Sequence, residues 1–426
     1  MKNRVFRVVF TYVFLGLWLL PALRIPTAAQ SHPQKPDTTK GDGKKNARPT
    51  EEDIKKAEEE KKRADEEKNA IVDPNIEKVE TNIVTVDAVV YNRKTGQIIT
   101  GLKKENFAIF ENGVKQNISS FATPEAPITV TLVLEYSKWT EVFGSAAGGM
   151  FEPGTYEAIR PVAQFLTQFI NPHKDQPRKD FASVIAFDIR PTPITDFTND
   201  PARIQETISL LLRNQPAFRE NALWDSLKLA LVGGRADSVV LENSKSEKSD
   251  YAGMVDVKAK RKAIILVASG IDTFSKINYD EVRRIIQEAG VPIYIISTGN
   301  LFFKRYENQL PATDGLIGQP GRLTFLQAQN AMNTIAKESG GFHYPMTFES
   351  EIPEYLRSIN AFLRNQYSLA YDLTEKKAPG TRSKIEVKVD VDGDGVYDDK
   401  VYLVQHRPYY ITPGGNGKII KADKKK

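Results

Sequence analysis

Four runs of almost uninterrupted apolar residues, many of them β-branched, constrain this chain more than any other feature: residues 128–134, 181–187, 263–268 and 291–297. A strand that faces water on one side alternates apolar and polar residues, whereas a strand covered on both faces reads as a continuous apolar run. Segments of helical spacing lie between these runs. Residues 156–170 carry Ile159, Val162, Ala163, Leu166 and Phe169 on one stripe and stop at Asn171 and Pro172. Residues 204–212, 222–231, 279–288, 324–338 and 352–363 are amphipathic in the same way, and a short strand is expected at 342–344. Strand and helix alternating like this predict an α/β unit over residues 126–364, a doubly wound, mostly parallel sheet of Rossmann-like type. Two polar stretches, 236–260 and 300–322, interrupt it and read as lids, recognition loops or mobile decoration.

The flanks are different, because they hold strands without helices. In residues 77–125, Val84, Val86, Ala88 and Val90 alternate with polar neighbours, a turn follows at 92–96, and runs at 107–110 and 116–121 bracket a turn at Glu111, Asn112 and Gly113. In residues 365–413, further β runs occupy 366–373, 383–391 and 400–407. The two flanks are expected to complete one another as a single β-sandwich of immunoglobulin-like type, with the α/β unit inserted in it or flanked by it.

The ends of the 426-residue chain carry no core. Lys2, Arg4 and Arg7 precede an apolar stretch at 8–20, and Thr27, Ala28 and Ala29 offer small residues before Gln30, so residues 1–29 read as a signal peptide. An uncleaved anchor is the alternative, and membrane contact is expected only through such a leader. Either way the chain is exported, to the periplasm or to the extracellular surface. Residues 30–76 form a linker, disordered by composition to about Pro49 and then a charged solvated helix in which Glu51, Glu52, Glu58 and Glu59 each stand four positions ahead of a base; residues 414–426 are a basic disordered tail. The formal charge of +5 comes from leader and tail, and the residues between are slightly acidic, so no nucleic-acid partner is expected. With no cysteine in the chain, stability has to come from packed cores.

The succession of residues 128–137, 221–225 and 264–272 resembles a von Willebrand factor A domain. Gly101, Leu102, Glu105, Asn106, Phe107, Glu111, Asn112, Gly113 and Gln116 look like the leader of a bacterial exported family related to it, a resemblance that covers about residues 79–408. It implies an adhesion or scaffold protein. In that family the first strand ends in Asp-x-Ser-x-Ser, a Thr follows on a later loop, and an Asp-Gly pair ends the fourth strand, together holding a divalent cation that meets an acid from a partner. Here those positions are Glu135, Ser137 and Trp139, then Asn221, then Ser269 before Gly270, with Asp272 three residues on. Only Ser137 is unchanged. Magnesium demands near-octahedral oxygen ligands at about 2.0–2.1 Å, so the resemblance implies a degenerate adhesion site without Mg2+, with Asp272 and Asp188 the acids that could substitute. Beyond the carboxyl ends of the strands Glu135, Ser137, Asn221, Ser269 and Asp272 are expected to gather, as a metal-independent protein contact or as a plain polar sheet edge. Trp139 reads equally as an interface anchor and as core filling.

A second candidate is the run Asp390, Asp392, Asp394, Gly395 and Asp398, which has the acid spacing of a calcium loop. Val401 stands where a bidentate Glu would close such a loop, and Asp and Gly also suit a hairpin turn. Catalysis is not expected: His32, His173, His343 and His406 show no zinc spacing, no Cys nucleophile exists, and Ser269 lacks the Gly before it that a nucleophile elbow requires. The sequence therefore reads as an exported protein-interaction module of the cell envelope with no certain cofactor and an unnamed protein partner. A calcium-stabilised structural or matrix component is the alternative, and a hydrolase a distant third.

Overall fold

The computed structural model describes residues 83–137, 154–170, 179–214, 216, 218–235, 250–315, 320–373 and 377–412. The expected signal peptide, charged linker and basic tail lie outside the described residues, as does Trp139. In chain order the strands before the first helix are β1 (Ile83–Asn92), β2 (Phe107–Glu111), β3 (Val114–Gln116), β4 (Ile118–Ala122) and β5 (Ile128–Glu135). Then come α1 (Gly154–Ile170), β6 (Phe181–Phe187), β7 (Pro191–Thr198), α2 (Pro201–Arg213), α3 (Leu223–Val232), β8 (Gly234–Arg235), β9 (Asp250–Tyr251) and β10 (Arg261–Ala268). The second half continues with α4 (Tyr279–Ala289), β11 (Ile293–Ser297), α5 (Gly299–Tyr306), α6 (Arg322–Ser339), β12 (His343–Pro345) and α7 (Ile352–Arg364). It closes with β13 (Tyr367–Asp372), β14 (Arg382–Val389), β15 (Tyr402–Gln405) and β16 (Tyr409–Ile411). Among the described residues no helix is long and apolar enough to cross a membrane.

The continuous apolar runs form the middle of a six-stranded sheet of order β12-β11-β10-β5-β6-β7, parallel throughout except for β7. Both faces are covered, which explains why these strands do not alternate in the sequence. Val130, Leu132, Ile265 and Val267 point to a core shared with α1, α2 and α7. Val133, Ile264, Leu266 and Ala268 point to the opposite core, under α3, α4 and α6. The chain moves outward from β5 through β6 to β7 on one side, then returns to β10 on the other, so the strand order reverses between β5 and β10.

Three differences from the sequence reading have physical causes. Strand β7 carries Pro191 and Pro193, which argue against a strand, but it lies at the sheet edge and runs antiparallel to β6, where a missing N–H is tolerated. In the stretch 236–260, Tyr251 and Met254 are buried rather than decorative, and the Tyr251 hydroxyl meets Ser183 Oγ at 2.8 Å and Thr131 Oγ1 at 3.4 Å, satisfying two polar groups inside the sheet. In the stretch 300–322, α5 packs Leu301 and Phe303 inward.

The flanking strands form two antiparallel four-stranded sheets, β15-β1-β13-β4 and β16-β14-β2-β3. Strands from before and after the α/β unit pair directly, with Val84 opposite Tyr371 and Ile109 opposite Val387. Val86, Ile109, Tyr367, Leu369 and Val387 share one core between the sheets. This part of the chain meets the amino edge of the parallel sheet. Fully buried Arg261, the first residue of β10, donates from Nη1 to the carbonyls of Pro124 at 2.7 Å and Ala126 at 2.5 Å, and from Nη2 to the Leu363 carbonyl. Gln405 Nε2 reaches the Gly341 carbonyl at 2.9 Å, just past the end of α6. The carboxyl edge of the sheet therefore faces away from the two flanking sheets.

Candidate functional site

At that carboxyl edge, where the strand order reverses, an open α/β sheet leaves a crevice. Glu135 ends β5, Ser137 follows it, Ser269 follows β10, and Asn221 lies on the loop that enters α3. All four are buried, with exposures of 2% or less. They form one hydrogen-bond network centred on the Glu135 carboxylate. Ser137 Oγ donates to Oε1 at 2.7 Å and Asn221 Nδ2 donates to the same oxygen at 3.0 Å, while the Ser269 N–H donates to Oε2 at 2.6 Å. Burial pushes the Glu135 carboxyl above its ordinary value, and the bonds from Ser269, Ser137 and Asn221 pull in the other direction.

The loop geometry is set by backbone contacts around this centre. The Ala222 N–H donates to the Asp188 carbonyl at 2.6 Å, and Asn221 exchanges bonds with Thr273, donating its N–H to Oγ1 at 2.8 Å and accepting the Thr273 N–H at 3.1 Å. Gly299 passes so close that a Cβ there would lie 2.1 Å from the Ser269 carbonyl oxygen. Asp272 directs its carboxylate elsewhere: Oδ1 accepts the Trp224 N–H at 3.3 Å and the Ser275 hydroxyl at 2.5 Å, bracing the first turn of α3. Asp188 is half-buried and its Oδ1 accepts the Arg190 N–H at 3.4 Å. Burial raises the carboxyls of both Asp188 and Asp272 above their ordinary range.

These residues do not fit a magnesium ion. A hard cation needs oxygens, acids above all, turned toward it, but Asn221 turns its amide N–H inward and the central carboxylate already accepts three hydrogen bonds, two at Oε1 and one at Oε2. Swapping the Asn221 amide would set oxygen against oxygen at 3.0 Å, so the network fixes its orientation. Asn221 Oδ1 is the atom left over, buried and without a partner among the described residues. That amide oxygen and the Ser137 hydroxyl are neutral, and without a free carboxylate beside them they do not make a hard-cation site.

Sequence reasoning missed the rim of the crevice. Phe218 precedes Asn221 by three residues and is 44% exposed; Phe274 follows Asp272 by two and is 54% exposed. The Phe274 N–H donates to the Asn221 carbonyl at 2.8 Å, which fixes that backbone against the network. An aromatic residue inside a polar loop was the available signal.

The acidic run is a separate site, at the turn between β14 and β15. Carboxylate oxygens of Asp390, Asp392 and Asp398 lie within 4.8 Å of one another. Backbone donors already hold them in place. Asp390 accepts from the N–H groups of Gly393 at 2.7 Å and Gly395 at 2.8 Å, and Asp398 from that of Val391 at 2.8 Å. Asp394 accepts the Val396 N–H at 2.7 Å and lies outside that trio. The pattern is a calcium-type loop spacing realised as a tight turn between strands.

No family model matches this sequence, and no curated protein does. Among solved structures, a von Willebrand factor type A protein from Catenulispora acidiphila is 10% identical, with 73% of this chain and 74% of that chain covered at a TM-score of 0.36. Proximal thread matrix protein 1 from the mussel byssus is 13% identical over 60% of this chain and 51% of that one, with a TM-score of 0.35. Three N-terminal domains of the type V pili tip protein Mfa5 from Porphyromonas gingivalis are 19% identical over 45% of this chain and 27% of that one, with a TM-score of 0.25. The chain thus spans about half or less of the length of the last two. Von Willebrand factor A-type proteins stand among the solved structures to which this chain is similar.

Proposed function

We propose that the chain is an exported, non-catalytic protein-interaction module whose partner docks over the carboxyl edge of the parallel sheet without a bridging metal ion. The crevice carries the reading. Its buried carboxylate, Glu135, is bound by Ser137, Asn221 and Ser269, and exposed Phe274 stands beside it on a loop whose N–H bonds the Asn221 carbonyl, with Phe218 exposed three residues before Asn221. Exposed aromatic side chains on a rigid rim suit interface anchors, because they bury large area at little entropic cost. In this reading the leader at residues 1–29 exports the chain to the periplasm or cell surface, and residues 30–76 act as a spacer. The two flanking sheets are in this reading a sandwich of immunoglobulin-like type at the amino edge of the parallel sheet, opposite the crevice.

A photo-reactive side chain at position 274, cross-linked in cells, identifies the protein in contact with the rim. Binding of that purified protein should have the same affinity in EDTA as in magnesium and should weaken at least tenfold in Phe274→Ser. Affinity that disappears in EDTA, or that is indifferent to Phe274, contradicts the proposal. The second reading, a calcium-stabilised structural component, draws on the approach of Asp390, Asp392 and Asp398 to within 4.8 Å. A hydrolase is a distant third, with no residue assigned to catalysis.

A further inference from the structure

A groove of about 480 Å3 lies between α6 and the edge strand β12, within the range of small-ligand clefts of about 300–1,000 Å3. Helix α6 presents Leu326, Gln329, Asn330 and Asn333 to it, a spacing of three, four and seven residues that forms one stripe of a helix. A stripe at that spacing is ordinarily apolar and buried. Here it is amide-rich, and Asn330 and Asn333 are exposed. Asn300 lines another wall and is fixed by donating from Nδ2 to the Met346 carbonyl at 2.9 Å. No side chain lining the groove carries a formal charge except the titratable His343.

Two polar atoms beneath this wall have no partner among the described residues. Gln329 donates from Nε2 to Ser297 Oγ at 2.8 Å, but its Oε1 is buried and unpaired among the described residues, and so is His343 Nε2. Burial lowers the His343 pKa to about 4, so at neutral pH the ring has one donor and one acceptor nitrogen. Both atoms lie beneath the groove surface, so the groups that meet a ligand are the exposed amides of Asn330 and Asn333, each with donors and an acceptor.

The backbone argues against an extended peptide as the occupant. Strand β12 pairs with β11 through Phe342, whose carbonyl accepts the Ile295 N–H at 2.8 Å, and through the Met346 N–H, which reaches the Ser297 carbonyl at 3.0 Å. Alternation then leaves only the backbone groups of His343 and the carbonyl of Pro345 on the outer edge, and Pro345 has no N–H. A peptide strand could not continue a ladder there. Exposed side-chain amides, each offering donor and acceptor, match a ligand dense in hydroxyl groups, and Leu326 with Pro345 gives its C–H face an apolar surface.

We propose that this groove binds an uncharged saccharide of one or two sugar units, at a site separate from the protein-contact crevice. The test is a glycan array of neutral and charged mono- to tetrasaccharides probed with the full chain, followed by titration of the bound sugars with histidine-labelled protein. A neutral sugar is expected to bind and to shift the ring nitrogens of His343 but not those of His406. The double variant Asn330→Leu/Asn333→Leu changes two exposed residues, and it should weaken binding at least tenfold at an unchanged melting temperature. Four outcomes overturn the proposal: no sugar binds, acidic sugars bind in preference, an extended amide-rich peptide binds instead, or the double variant keeps its affinity.

Discussion

Glu135→Ala removes the acceptor from three buried donors at once: Ser137 Oγ, Asn221 Nδ2 and the Ser269 N–H. Each unsatisfied buried donor costs about 1–3 kcal/mol, and relief from burying a carboxylate offsets part of the sum, leaving a loss of about 3–5 kcal/mol. For a unit of this size that lowers the melting temperature by about 10 °C. Glu135→Gln has a different outcome. Its oxygen can accept from Ser269, its NH2 can face Ser137, and Asn221 can turn its unpartnered Oδ1 toward the new amide, so the expected cost is below about 1 kcal/mol. The pH dependence separates the two states of the native carboxyl. Because burial raises the Glu135 pKa above its ordinary 4.5, the folded protein holds that proton more tightly than the unfolded chain. Its contribution to stability is therefore greatest below pH 4.5 and falls as pH rises toward the elevated folded value, a slope that Glu135→Gln lacks. Calorimetric melts of wild type and both variants from pH 4 to pH 8 provide the readout. If the Gln variant lost as much stability as the Ala variant, or kept the wild-type slope, the crevice would not be organised around a carboxylate acceptor.

Three further outcomes follow from particular contacts. Arg261→Met leaves the carbonyls of Pro124, Ala126 and Leu363 without their donor and should cost about 3–5 kcal/mol by denaturant titration, with Arg261→Lys recovering only part because one ammonium cannot reproduce the guanidinium fork. Gly299→Ala drives a methyl to 2.1 Å from the Ser269 carbonyl, so a melting temperature unchanged to within about 1 °C would show that the crevice loops are not closely packed. Asp392→Ala tests the acidic turn: if Asp390, Asp392 and Asp398 hold calcium, that ion raises the melting temperature of wild type and the variant loses the shift, whereas a turn held by its backbone donors alone is indifferent to calcium in both.

The parallel sheet was legible because burial on both faces leaves a direct trace: residues 128–134 and 263–268 have almost no polar positions, and they become β5 and β10 side by side. Elements whose logic is tertiary left no such trace. Strand β7 tolerates its prolines because they fall at an edge, and Tyr251 is buried with its hydroxyl bonded to Ser183 inside the sheet and its ring stacked on Phe197. The sequence indicated at the crevice which residue types stand at Glu135, Asn221 and Ser269, but not which atoms each would present. That Asn221 turns its NH2 inward, and that Asp272 braces α3, depends on loop packing around Thr273 and Ser275. The amide stripe on α6 went unread for a related reason: three amide side chains and a leucine at helical spacing look like a solvated face until an edge strand forms a groove beside them.

In the proposed function the crevice is organised by hydrogen bonds and not by an ion. Isothermal titration of magnesium into the full chain, paired with melts in EDTA and in magnesium, tests it most directly. No saturable heat at the crevice and the same melting temperature in both buffers are the predicted result. Saturable magnesium binding that stabilises the wild type and disappears in Glu135→Ala would contradict it.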